Sequence, residues 1–146
     1  MNVRDLMTPD PITVDFKAPV GEVRETMEKN GIRHIPVVED GRVMGLLSTR
    51  DMAFIDGVLD LFADLDDFFA HPIMEMPVES LWSMEILPGR AVITVMPEAP
   101  IADAIDLLIM HQISALPVVD GETSRLLGIL SYVDILKWAR QVSSEG

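Results

Sequence analysis

Apolar positions along this chain follow two rhythms. From Val20 through Val23 and Met27 to Ile32 the spacing is helical, and Glu25 and Lys29 form an i,i+4 pair on the polar side. Pro19 suits the start of that helix and Asn30-Gly31 its end. On either side the pattern becomes β-like. Ile12-Thr13-Val14 is a short strand, and His34 to Val38 and Arg42 to Leu47 are strands joined by the turn Glu39-Asp40-Gly41. Ser48 is placed to cap a helix that begins at Thr49. The predicted order is strand, helix, strand, strand, helix. A lead-in from Asn2 to Met7 precedes it, with room for one helical turn before Pro9 and Pro11.

The same order then recurs. Ile93 to Val95 reads as a strand, Pro100 to His111 as a helix, and Leu116 to Val119 with Leu126 to Leu130 as a hairpin. Ser131 caps a last helix predicted to reach about Val142, with a frayed tail from Ser143 to Gly146. Thr13 falls on Thr94, Pro19 on Pro100 and Pro36 on Pro117, each 81 positions later. Two extra residues in the second hairpin turn move Gly45 to Gly128, Ser48 to Ser131 and Asp51 to Asp134, each 83 positions later. This is a small domain duplicated, not a solenoid unit. A copy of this size is close to the limit at which a lone core is stable. The expectation is an α/β fold of two repeats, strand-helix-strand-strand-helix each, packed about a pseudo-twofold axis with related clefts between them.

One segment stands outside the repeat. Between Ala53 and His71 the apolar residues Phe54, Ile55, Val58, Leu59, Phe62, Leu65 and Phe69 keep a broadly helical period, with Asp56, Asp60, Asp64 and Asp67 opposite. The domain reading is therefore a first domain at 1–56, an acidic, Phe-rich helical connection at 57–77, and a second domain at 78–146. Val78 to Met84 is the counterpart of the lead-in. Four of the five Phe residues sit in the connection. Left exposed they would form a large apolar patch, so a homodimer is expected to cover them. The competing reading folds the segment back over its own chain.

Composition narrows the function classes. Hydrophobic residues make up 49% of the 146 positions, which suits a packed core, and the absence of cysteine excludes disulfides and thiolate metal sites. No signal-peptide pattern or long apolar run is present, so a soluble cytoplasmic protein is expected. With 24 acidic against 11 basic residues and a formal charge of -13, binding to nucleic acid or an anionic membrane is not expected. His34, His71 and His111 lack metal-ligand spacing. Asp64-Leu65-Asp66-Asp67 lacks the Gly and terminal Glu of a calcium loop and reads as a wet helix face. No catalytic set, Walker loop or nucleophile elbow is found, so no enzyme activity is expected.

Two motifs carry chemistry: Gly45-Leu46-Leu47-Ser48-Thr49-Arg50-Asp51 and Gly128-Ile129-Leu130-Ser131-Tyr132-Val133-Asp134. Each sits at a strand-to-helix junction, where backbone N–H groups and the helix dipole favour an anion. The Ser hydroxyl can bond phosphate and the Asp can accept from ribose hydroxyls. The same residues also fit a capping box with Asp in the usual Glu place. The sequence leaves both readings open.

The Ile-Pro-Val-Val run followed by Gly-Leu-Leu-Ser-x-x-Asp, present in related form in both copies, closely resembles the CBS domain, named after cystathionine β-synthase. Val3-Arg4-Asp5-Leu6-Met7-Thr8 is similar to the family's usual lead-in; Ser80-Leu81-Trp82-Ser83 departs from it. The resemblance implies a tandem pair that binds adenosine compounds such as AMP, ATP, NAD or S-adenosylmethionine in clefts between the repeats. It implies Asp51 and Asp134 on ribose, with Ser48 and Ser131 on the ribose-phosphate side. Ile12, Thr13, Ile93 and Thr94 would line the clefts, and His34, Ile35, Pro36, Ala115, Leu116 and Pro117 would border the base. Arg50 would meet phosphate. The first copy has Arg33, His34, Thr49 and Arg50 where the second has Ser114, Ala115, Tyr132 and Val133, so the first is the expected phosphate site. The expected function is a free-standing regulatory module that binds an adenine nucleotide and signals to an unidentified effector protein. The alternative is a dimerisation scaffold with empty clefts.

Overall fold

The computed structural model describes residues 1–63, 73–89 and 92–145. Leu65, Phe68, Phe69, the aspartates of 64–67 and His71 lie outside the described residues, as does the Phe62 side chain.

The chain forms two compact units, and they are not the two sequence repeats. One contains Ile12–Asp40 and Met44–Val92; the other contains Met1–Pro11, Gly41–Val43 and Ile93–Gly146. The 1–56 and 78–146 boundaries are therefore crossed by the lead-ins: residues 1–11 fold with the second repeat, and residues 78–84 with the first.

In the first-repeat unit, β2 (Val14–Asp15), β3 (His34–Glu39) and β4 (Arg42–Ser48) form a three-stranded sheet in that order, with β2 parallel to β3. Helix α2 (Val20–Asn30) buries Val20, Val23 and Met27, the positions its period predicts. It ends on Gly31 at φ 61°, a left-handed conformation that glycine adopts without a Cβ clash. The hairpin turn is equally local in origin. Asp40 and Gly41 both have positive φ (52° and 80°), as a two-residue turn between twisted strands requires. Helix α3 (Thr49–Ala63) is one continuous element. It runs through the expected 56/57 boundary, because Met52, Ile55 and Leu59 continue one core-facing stripe. An ion pair from Arg24 to Asp56 ties α2 to α3.

The second lead-in completes this core. Val78 N–H donates to Ala18 O at 2.7 Å and Glu79 N–H to Phe16 O at 3.0 Å. This seats Val78 and Leu81, of helix α4 (Ser80–Ser83) and its approach, at 0% exposure among Ile35, Val37, Leu47 and Ile55. Trp82 stacks on Phe16 with ring centroids 6.3 Å apart.

The other unit repeats the plan with the first lead-in. Helix α1 (Val3–Leu6) and β1 (Thr8–Pro9) come from the N-terminus, and β1 pairs antiparallel with β6 (Leu126–Ser131), which pairs with β5 (Ala115–Val119). Val3 N–H donates to Ala99 O at 2.9 Å, and Val3 is fully buried with Leu116, Val118 and Leu130. Helix α5 (Ile101–His111) buries Ile101, Ala104 and Leu108. Two expectations are corrected here. Ile93 to Val95 forms no strand: only Val95 bridges, in parallel, to Val118, since Pro97 and the turn after it end the pairing. Helix α6 spans Tyr132–Glu145, so Ser143 to Glu145 are helical rather than frayed. Among the described residues, no helix is long and apolar enough to cross a membrane.

Candidate functional site

Both motifs fold as the sequence placed them, at the start of the helix that follows the hairpin. In the first, Ser48 N–H and Ser48 Oγ both donate to Asp51 Oδ2, at 2.8 and 3.0 Å, and Asp51 N–H donates back to Ser48 Oγ at 3.3 Å. In the second, Ser131 and Asp134 make the same three bonds at 2.9, 3.1 and 3.3 Å. Of the two roles the sequence allowed, the capping box is the one these bonds form. A ligand that took Asp51 Oδ2 would compete with two internal donors, while Oδ1 takes no part in the box.

The helix start is also less open than an ideal anion site. Thr49 N–H donates to Arg33 O at 3.0 Å, and Tyr132 N–H to Ser114 O at 3.0 Å. With Asp51 N–H held by Ser48 Oγ, the first-turn amide left for an anion at the first junction is that of Arg50. The Arg50 side chain is exposed beside it.

The remaining expected residues divide by burial. Arg33 and Thr49 are exposed, and Thr13 and His34 half-buried. Ile12 is 42% exposed. Ile35 and Leu116 are at 0%, core side chains turned away from solvent, and Pro36, Ala115 and Pro117 are buried too. Of the two runs expected beside the base, His34 alone presents a polar group. Ile93 and Thr94 are half-buried on the approach to Val95. Burial holds the His34 imidazole below its ordinary value; the Asp51 carboxylate opposes that shift and Arg33 adds to it. At the places of His34 and Arg33 the second repeat has Ala115 and Ser114. Among the described residues, no group of three or more His, Asp or Glu side chains is arranged to hold a metal ion.

The motif glycines have a role the sequence reading missed. A Cβ at Gly45 would lie 2.9 Å from Trp82 Cη2, and one at Gly128 would lie 2.8 Å from both Met7 Sδ and Thr8 O. Each glycine is the floor on which a lead-in rests. The signal was present in the lead-ins: Val3, Leu6 and Met7 recur 75 positions later as Val78, Leu81 and Trp82.

Comparison with known proteins gives the same outline. A CBS domain-containing protein of Bacillus subtilis, YhcV, is 31% identical over 144 residues, covering 99% of this chain and 88% of its own. The protein MJ1225 of Methanocaldococcus jannaschii is 29% identical over 136 residues. Its crystal structure superposes with a TM-score of 0.78 over 94% of this chain; the chain spans 47% of that structure, about half of that relative's length. The structure of CBSX2 in complex with AMP matches over 97% of this chain and 98% of its own at 23% identity, with a TM-score of 0.74. The CBS domain profile itself matches residues 3–55 and 84–141. With both repeats matched, the chain belongs to the CBS-domain family, as a tandem pair.

Proposed function

We propose that this CBS pair is a regulatory module that binds an adenine nucleotide, mainly at the junction of Arg33, His34, Ser48, Arg50 and Asp51, and passes the binding event to a partner protein. The observation that carries this reading is the chemical inequality of two otherwise superimposable capping boxes. The first repeat has Arg33, His34 and Arg50 at the places where the second has Ser114, Ala115 and Val133. A structural cap needs no cations around it; a phosphate does. CBSX2, a relative in fold, is a complex with AMP. The Arg50 amide and guanidinium supply phosphate donors, and Asp51 Oδ1 supplies an acceptor for ribose hydroxyls. Ligand then acts by favouring the arrangement that binds it better, which a partner reads as a population shift. A homodimer contact along α3 is part of the proposal, since Phe54 is 52% and Leu61 76% exposed there.

Titration calorimetry with AMP, ATP, NAD and S-adenosylmethionine tests this. A charge-assisted phosphate contact is worth about 1.5–3 kcal/mol, so Arg50→Ala weakens AMP or ATP roughly ten- to hundredfold and adenosine less. Equal losses for adenosine and ATP would remove Arg50 from the phosphate. No heat with any of the four supports the second reading, a scaffold, which the full engagement of Asp51 and Asp134 Oδ2 in caps favours.

A further inference from the structure

We infer that His34 is a proton sensor for the first junction: its charge state sets how well the Ser48–Asp51 turn holds an anion. The inference rests on the nucleotide reading above for its ligand, and on the following geometry for its mechanism. His34 is the first residue of β3. The preceding residue's carbonyl accepts from the first amide of α3, Thr49 N–H, at 3.0 Å, so the start of β3 is fastened to the start of the helix. In the second repeat the corresponding residue, Ala115, pairs directly with Ser131 across the hairpin. By the repeat, His34 occupies the place beside Ser48.

The Asp51 carboxylate cannot move away from this imidazole without breaking the two bonds that Ser48 donates to it. Among the charged groups that act on His34 are that carboxylate, from α3, and the Arg33 guanidinium, from the residue just before β3. Neutral His34 leaves Arg33 and Arg50 as the cations of the junction, set against the Asp51 charge. Protonated His34 offsets the Asp51 charge and places a third cation against an incoming phosphate. The half-buried setting, which disfavours the imidazolium in the free protein, makes this charge most available when a phosphate arrives to compensate it. Binding therefore takes up a proton, and affinity rises as pH falls. Ala115 makes the second junction indifferent to pH over the same range.

The experiment is an NMR titration of the labelled full chain from pH 8 to 5, following the imidazole of His34 and the amides of Ser48, Asp51, Ser131 and Asp134. His34→Gln assigns the imidazole and serves as the control. In the wild-type chain, the Ser48 and Asp51 amides are expected to share the His34 midpoint while those of Ser131 and Asp134 stay still. Saturating AMP is expected to raise that midpoint by about one pH unit, equivalent to about tenfold tighter binding to the protonated form. Calorimetry of AMP against the His34→Gln chain isolates the effect, because only the titration of the AMP phosphate itself, near pH about 6, remains there. Ser48 and Asp51 amides that titrate identically in His34→Gln overturn the sensor. So does a His34 midpoint that AMP leaves unmoved while AMP is bound. If AMP perturbs no resonance at either pH, the nucleotide reading has failed and the ligand half of the inference with it. The ligand-free titration then decides, separately, whether His34 and the cap are coupled.

Discussion

The packing of a lead-in on a glycine of each hairpin makes opposite predictions for the two repeats. Gly45→Ala places a methyl 2.9 Å from Trp82 Cη2 and 3.1 Å from Cζ2. Carbon atoms rest at about 3.5–4.0 Å, so the ring must retreat by about half an ångström or more from a position it holds against Phe16. Overpacking of this kind costs about 1–3 kcal/mol. For a chain of 146 residues that is a fall in Tm of about 2–4 °C per kcal/mol. The three nearest atoms all belong to Trp82. In a Trp82→Ala background the same methyl meets space, and replacing Gly by Ala at an unstrained backbone position then stabilises by about 0.4–1 kcal/mol. The sign of the Gly45→Ala effect should reverse, a coupling of about 2 kcal/mol. At Gly128 one of the obstructing atoms is Thr8 O, a backbone atom of β1 held in register with β6. Met7→Ala removes the sulfur and leaves that carbonyl, so Gly128→Ala should stay destabilising in both backgrounds. Urea denaturation of the four proteins in each cycle reads these values. A Gly45→Ala cost that is the same with and without Trp82 would refute the reasoning.

Three further outcomes follow from the structure. Asp51→Ala and Asp134→Ala should each cost about 0.5–2 kcal/mol in urea midpoint measurements as lost caps, while Asp51→Ala alone removes most of the AMP affinity measured by calorimetry; a larger affinity loss at Asp134 would mean the main site lies in the second repeat. His34 titrates below its ordinary 6.5 in the folded chain, so as pH falls through that value the unfolded chain takes up the proton first. Stability that is present above about pH 6.5 is therefore lost between that value and the lowered folded one, and His34→Gln should flatten this part of the urea midpoint profile. Phe54→Asp with Leu61→Asp should convert a dimer to monomer by light scattering; a folded double mutant that remains dimeric excludes this stripe of α3 as the contact.

The helices and hairpins were legible because each carries its own local cause. Val20, Val23 and Met27 set the face of α2, Gly31 its end, Asp40-Gly41 the turn, and Ser48 and Ser131 the starts of α3 and α6. What the sequence concealed was non-local. Nothing near Val3 or Val78 says which repeat will receive it, because a buried valine suits either core equally. Gly45 and Gly128 entered the reading only as the first residues of the two motifs, because a glycine gives the same letter whether a ligand or a side chain rests upon it. At the site, the motif spacing set Ser48 and Asp51 at the start of α3, yet period alone could not tell that Ile35 and Leu116 turn inward. Nor could it choose between cap and ribose for a carboxylate whose geometry suits both.

The exchange of lead-ins has a consequence for how this chain is made. The unit that contains Ile93–Gly146 cannot finish its core until the earlier-made Val3 meets residues made more than a hundred positions later, Leu116 and Leu130 among them. Contacts of that sequence separation close slowly, so the first lead-in waits, exposed, until the second repeat has been made. The first repeat waits only as far as Leu81 and Leu87. The two halves of a duplicated sequence are thereby given a fixed order of completion. A gene cut midway between the repeats yields two fragments, each holding the other's missing piece, which should recover both cores only when expressed together.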